Sequence, residues 1–325
     1  MDSTVLVTGA AGYIGSVVVT HLLARGYRVR ALDLLLFGGE SLLGVYGHER
    51  FEFIQADIRD VDAMAQALAG VDAVVHLAAV VGDPACAKQP ELAREVNWGA
   101  SKELFDLARN STQVKRFVFA STCSNYGKMK DQSYVDENSP LRPASLYAEL
   151  KVEFERYLLS SDVREDFVPT SLRFATVYGL SPRPRFDLTV NEFTRDATLG
   201  RKLTIYGERF WRPYCHVEDL ARSCLLVLES EPGKVRREVF GIGDTTENYQ
   251  KRTLAEELRK LIPGIQVTYV ESKEDPRDYR VDFAKVRDHL GFRITKKVPD
   301  GMSEIHRALK QGLISSPDAA NYRNI

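Results

Sequence analysis

Thr8-Gly9-Ala10-Ala11-Gly12-Tyr13-Ile14-Gly15 directly follows the β-branched run Thr4–Val7 and opens the helical pattern Tyr13–Arg25. The first glycine permits a tight strand-to-helix turn, the second lets a pyrophosphate approach the backbone, and the third lets the helix pack on the sheet. The helix start then meets the pyrophosphate with unpaired N–H groups and the positive end of its dipole. The next apolar run, Tyr27–Leu32, ends on Asp33. A carboxylate there accepts hydrogen bonds from an adenosine ribose and repels a 2′-phosphate. The stretch therefore predicts a dinucleotide turn that prefers NAD to NADP, with Gly9, Gly12, Tyr13, Ile14, Gly15 and Asp33 as cofactor contacts.

Outward from this turn, the strand-like runs Phe51–Gln55, Ala73–Leu77, Arg116–Ala120 and Pro169–Phe174 alternate with helical patterns at Val61–Leu68, Pro90–Arg109 and Ser145–Ser160. Alternation of this kind predicts an α/β fold, a Rossmann-type doubly wound parallel sheet covered on both faces. After Phe174 the rhythm breaks at Ser181-Pro182-Arg183-Pro184-Arg185, and a helix at Leu188–Leu199, short strands and a helix at Thr253–Leu261 follow. These predict a smaller mixed α/β C-terminal substrate domain. Val217–Glu229 reads as a helix and Val239–Gly243 as a buried strand, so the chain is expected to return to the first sheet. Residues 1–177 plus about 211–243 are assigned to the dinucleotide unit, and about 178–210 plus 244–325 to the substrate unit. The polar residues Ile314–Ile325 read as a loosely held tail.

Composition excludes several partners. Lys+Arg 44 against Asp+Glu 45 leaves a net charge of −1, too little field to hold a nucleic acid. Cys86, Cys123, Cys215 and Cys224 form no CxxC pair, so neither a metal site nor a disulfide framework is indicated. No run approaches the ~18 apolar residues of a membrane span, and Met1 leads straight into Val5-Leu6-Val7, which predicts a cytoplasmic protein without membrane partners.

The chemistry gathers at strand ends. Asp57-Ile58 and Leu77-Ala78-Ala79 follow the third and fourth strands, on the edge where ligands bind in such sheets. Tyr147-Ala148-Glu149-Leu150-Lys151 opens a helix, and i,i+4 spacing puts the Lys151 ammonium on the face of the Tyr147 phenol. A nearby cation favours a phenolate and so a general base. Ser121-Thr122-Cys123-Ser124 follows the fifth strand and supplies a hydroxyl at the same edge. His76 and His216 read as structural, and Arg183 and Arg185 either as substrate-loop clamps or as solvated charges.

Together TGAAGYIG, Asp33, HLAA at 76–79, VNWGA at 96–100, STCSNYG, YAELK, LRFATVYG at 172–179 and WRPYCHVED at 211–219 resemble the extended short-chain dehydrogenase/reductases, the NAD-dependent nucleotide-sugar epimerases and dehydratases. The resemblance implies Thr122, Tyr147 and Lys151 as catalytic residues, and Asp57, Ile58, Leu77, Ala78, Ala79, Asn97, Tyr147 and Lys151 as further NAD contacts. It implies Arg212 and Arg277 as the grip on a sugar-nucleotide diphosphate. Family dehydratases carry Asp-Glu after the threonine, where this chain has Cys123 and Ser124, and Thr176 replaces an amide that contacts phosphate.

The strings GLSPRPRFDLTVNEFT, DPRDYRVD and VVGDPAC resemble a branch that includes heptose-nucleotide 4-dehydrogenases and 4-epimerases of bacterial surface-sugar pathways. That implies Val81, Gly82, Asp83, Thr122, Cys123, Ser124, Thr176 and Asn191 as substrate contacts. The implied activity is oxidation at C4 of a nucleotide-linked hexose or heptose, with a 4-ketoreductase or a non-catalytic dinucleotide sensor as the competing readings. Apolar faces on Pro90–Arg109 (Leu92, Val96, Leu104, Leu107) and Ser145–Ser160 (Leu150, Phe154, Tyr157, Leu158) are read as a homodimer seam or as packing on the sheet. Denaturing the purified protein should release NAD(H), identified by mass; release of NADP(H) would contradict the role given to Asp33.

Overall fold

The computed structural model describes residues 3–128, 133–271 and 277–324. Its elements run β1 (Thr4–Thr8), α1 (Gly15–Ala24), β2 (Arg28–Asp33), β3 (Phe51–Gln55), α2 (Val61–Leu68), β4 (Ala73–His76), α3 (Asp83–Lys88), α4 (Pro90–Arg94), α5 (Ser101–Asn110), β5 (Arg116–Thr122), β6 (Tyr134–Val135), α6 (Leu146–Ser160) and β7 (Val168–Phe174). There follow β8 (Thr176–Tyr178), α7 (Thr189–Thr198), β9 (Leu203–Tyr206), β10 (Trp211–His216), α8 (Val217–Glu229), α9 (Pro232–Val235), β11 (Glu238–Ile242), β12 (Asn248–Gln250), α10 (Lys251–Leu261), β13 (Val267–Val270), β14 (Arg280–Val281), α11 (Ala284–Leu290) and α12 (Val298–Lys310).

The central sheet has seven parallel strands in the order β11-β7-β5-β4-β1-β2-β3. Alternate residues of β1 serve opposite layers. Val5 and Val7 join a core with Val18 of α1 and Leu220 of α8, whereas Leu6 joins Met64 of α2, Phe105 of α5 and Phe154 of α6. Both faces are thus covered, and the strands read as continuous apolar runs for that reason. The strand order reverses between β1 and β4, which opens a crevice above their C-terminal ends. A third core, with Val190, Phe193, Leu254 and Met302, lies under the segments that follow β7.

β11 returns to the central sheet beside β7, as the sequence suggested. β10, assigned from sequence to the dinucleotide unit, pairs with β8 and β12 in a separate three-stranded sheet. The helix expected over Pro90–Arg109 is interrupted at Glu95–Ala100 by a π turn. There the Asn97 amide leaves the helix surface and bonds both backbone groups of Val80, at 2.8 and 2.9 Å. Of the proposed seam residues, Leu104, Leu150, Phe154 and Leu158 are buried within the chain, and Leu92, Val96, Leu107 and Tyr157 stay half-buried.

The expected loose tail is docked. Phe186 N–H donates to the Tyr322 carbonyl at 2.9 Å, the two rings meet edge to face, and Asp318 pairs with Arg201 at 2.5 Å. Polar composition hides such contacts because their partners lie more than a hundred residues earlier in the chain.

Behind the loop after β5, Arg173 and Glu155 form a bidentate pair whose side chains are 5% and 1% exposed. Ser171 donates to the same carboxylate, and the guanidinium also donates to the Tyr126 hydroxyl. Substituting Glu155→Ala should lower unfolding free energy by about 3–5 kcal/mol in urea titrations, because it leaves a buried cation unpaired. A loss under about 1 kcal/mol would show that the pair is not sealed from water.

Candidate active site

A cavity of about 680 Å³ lies along the C-terminal edge of the central sheet and under the β8/β10 segments. At one end it is lined by Gly9, Gly12, Tyr13, Ile14, Gly15, Asp33, Asp57 and Ile58, in the middle by Leu77, Ala78, Ala79, Val81, Gly82 and Asp83, and at the other end by Thr122, Ser124, Tyr147, Lys151, Thr176, Arg212 and Arg277. Nearly all of the sequence-predicted contacts thus share one cavity.

The turn that opens it has no room for side chains at Gly9 and Gly15. Gly9 has φ +71°, and a Cβ there would sit 2.8 Å from the Ala78 nitrogen; one at Gly15 would fall 2.0 Å from the Gly9 carbonyl oxygen. Asp33 accepts from the backbone N–H groups of Ala11 at 3.0 Å and Leu35 at 2.8 Å, which fixes its carboxylate at the mouth of the turn. Burial pushes that carboxyl above its usual range, opposed by these N–H groups and by Arg183. His76 is structural: its ring bridges Thr8 and Ser101 at 2.7 and 2.9 Å, and burial pushes its pKa down to about 3. His216 caps α8 and meets Glu304 at 2.9 Å.

Ser145 caps α6 by accepting from Ala148 N–H, which sets Tyr147 in the first turn and Lys151 one turn on. The Ser145 hydroxyl also donates to Asp83 at 2.6 Å, and the second Asp83 oxygen lies 3.1 Å from Arg277, so Asp83 joins three walls of the cavity. Lys151 is 4% exposed; its ammonium donates to the Ala120 carbonyl at 2.8 Å and lies 5.9 Å from the centre of the Tyr147 ring. Burial pushes Lys151 down to about 8.

The expected depression of the Tyr147 pKa is not found in the protein alone. Burial pushes it up, Cys86 and Asp83 add to the rise, and Arg185 opposes it. At that separation the ammonium does not offset the loss of water. Thr122 lines the cavity, and its hydroxyl accepts from Ser124 N–H at 3.1 Å.

Three predicted contacts lie elsewhere. Cys123 is 1% exposed and turns its thiol to the Arg173 carbonyl at 3.3 Å, because the 3-10 turn after β5 buries Cys123, Asn125 and Tyr126 and leaves Ser124 toward the cavity. Asn97 spends its amide on Val80 and shapes the wall without lining it. Asn191 is consumed by Gly179, the Arg185 carbonyl and the Tyr13 hydroxyl, so it ties the cap to the glycine turn and has no atom left for a phosphate. Phe37, Tyr279 and Asn324 line the cavity without having been foreseen. Arg183, weighed as a substrate clamp, stands at the Asp33 end.

This cavity fits NAD: Gly9, Gly12 and Gly15 leave bare backbone at the start of α1 for a pyrophosphate, and the carboxylate of Asp33, held at the mouth of that turn, suits a ribose diol. Among the described residues no group of His, Cys, Asp or Glu could hold a metal, and no helix is long and apolar enough to cross a membrane.

The model of the NAD dependent epimerase/dehydratase family matches residues 5–243. The UDP-glucose 4-epimerase of Lactobacillus helveticus is 30% identical over 309 residues, covering 89% of this chain and 91% of that protein. The dTDP-glucose 4,6-dehydratase of Streptomyces griseus is 31% identical over 312 residues, covering 93% of each. The UDP-glucuronic acid 4-epimerase of Bacillus cereus, solved with UDP-glucuronic acid and NAD, superposes with a TM-score of 0.85 at 25% identity, over 95% of this chain and 99% of that one.

In protein freed of dinucleotide, a carbon-13 NMR titration of Lys151 should show a midpoint near 8, with the ammonium lost as pH rises through it. A midpoint near the ordinary value of about 10.4 would contradict the burial described.

Proposed function

The chain belongs to the NAD dependent epimerase/dehydratase family, and from that premise we propose that it oxidises C4 of a nucleotide-linked sugar, as a nucleotide-sugar 4-epimerase or 4-dehydrogenase. The observation that carries this reading is the cavity itself: a phenol, a threonine hydroxyl and a buried lysine line it together, while the loop after Thr122 brings no carboxylate to it. Elimination of water across C5 and C6 needs an acid and a base beyond the tyrosine. Cys123 faces the core and Ser124 has no carboxyl proton, so dehydration is disfavoured despite the dehydratase relative.

NAD supplies the hydride acceptor when bound, and its oxidised ring is positively charged. Gly9, Gly12 and Gly15 would hold its pyrophosphate, Asp33 its adenosine ribose and Lys151 its nicotinamide ribose. Tyr147 takes the proton of the sugar hydroxyl, for which its phenolate must form against the burial that raises its pKa. Lys151, cationic below about 8, opposes that burial, as does any further positive charge brought beside the phenol. Thr122 holds the same sugar oxygen by a hydrogen bond. Arg212 and Arg277 grip the diphosphate through paired charge-assisted bonds, which requires Arg277 to share or leave Asp83.

A keto sugar that turns over in the cavity and is reduced on its other face gives the 4-epimer; one that leaves makes the protein a dehydrogenase. The substrate is a nucleoside-diphosphate hexose or heptose, and the half-buried Leu92, Val96, Leu107 and Tyr157 support a homodimer as the active form.

Supplying UDP-, GDP-, ADP-, CDP- and dTDP-sugars should give either interconversion of two epimers without net NADH or accumulation of a keto sugar with NADH. Tyr147→Phe should lower kcat by roughly 10²–10⁴-fold while dinucleotide content stays unchanged. Unchanged turnover would overturn the catalytic reading.

A further inference from the structure

The Asp33 end of the cavity is closed by residues far apart in sequence. The Arg183 guanidinium lies 4.0 Å from the centre of the Phe37 ring, and both line the cavity beside Asp33 and Leu34. Arg183 is 7% exposed. A desolvated cation requires acceptors, and the segment that follows α12 provides them: Arg183 donates to Asn324 Oδ1 at 2.7 Å and to the carbonyls of Asn321 and Arg323 at 3.2 Å each. Asn324 itself lines the cavity, and its backbone N–H donates to Asp187, which Arg185 holds by two bonds at 3.0 and 2.6 Å.

The same loop is fastened to the glycine turn. Ser181 donates to the Tyr13 carbonyl at 2.7 Å and meets the Ser16 hydroxyl at 3.2 Å. A continuous set of hydrogen bonds thus runs from the pyrophosphate turn through the 181–187 loop to Asn324. One buried donor in it is unused, because Arg183 Nε has no partner within the protein. That nitrogen is closed off from the cavity, so what Arg183 and Phe37 offer adenosine is the arginine-aromatic wall, which suits a flat stacked base.

We propose that Arg183, Phe37 and the segment Ala320–Asn324 form a clamp on the adenosine end of the dinucleotide, which sets how slowly the cofactor exchanges. The clamp rests on NAD as the cofactor and deepens the proposed function, since a 4-epimerase must keep one dinucleotide through both halves of its reaction. Burial pushes Arg183 down only to about 10, so the cation persists at neutral pH and faces the Asp33 carboxylate. The clamp does not depend on which sugar is oxidised.

The test measures release of NADH from the full-length holoprotein, by fluorescence in excess ADP-ribose and without any sugar. Asn324→Ala, which removes the side-chain acceptor, should release NADH at least ~10-fold faster and bind ADP-ribose at least ~10-fold more weakly, about 1.4 kcal/mol. Asn324→Asp keeps the acceptor and should restore slow release. A chain ending at Ser316 should release NADH at least as fast as Asn324→Ala. Unchanged release in Asn324→Ala, or equal acceleration in the Ala and Asp variants, would overturn the clamp. Because no sugar is present, failure of C4 oxidation in a separate assay would contradict the proposed function and leave these outcomes readable.

Discussion

Contact between two backbones governs the rest of this molecule. The turn after β1 passes so close to the exit of β4 that a methyl group at Gly9 would stand 2.8 Å from the Ala78 nitrogen, and α1 starts so close to that turn that one at Gly15 would overlap the Gly9 carbonyl. The closeness brings the start of α1 to the point where the strand order reverses, so the helix N-terminus, the ends of β4 and β5 and the loop after β2 face one crevice. Every functional side chain described above hangs from one of those ends or reaches over them.

Burial and charge are in tension at the reactive end. Water excluded from the cavity raises the Tyr147 pKa and lowers that of Lys151, and both shifts oppose a phenolate beside an ammonium. A site of this kind is poised: positive charge entering the cavity shifts the phenol toward the ionised form, so its chemistry is coupled to its being filled. Asp83 supports this arrangement by fixing the cap of α6 and, through Arg277, the opposite wall.

Local signals carried the fold. Phe51–Gln55, Val61–Leu68 and Val217–Glu229 stand where the apolar pattern puts them, and Tyr147 and Lys151 lie one turn apart on the helix expected for them. What could not be read is non-local or directional. The amide of Asn97 turns inward at a π turn, Cys123 faces the core, and Asn191 is spent within the protein; residue type and position cannot tell a ligand from a brace. Asn324 was hidden for a different reason, since it is held at the cavity by Arg183 and Asp187, 141 and 137 positions earlier. A polar composition near the end of the chain says nothing about such a partner.

In the proposed reaction, hydrogen at C4 of a nucleotide-linked sugar is the atom transferred. The most direct measurement follows deuterium placed at C4 of the substrate by mass spectrometry and NMR. The label should be found at C4 of the inverted sugar or on reduced dinucleotide, with none lost to water. Product formed with the label undisturbed on its original face, or washed out into solvent, would contradict it.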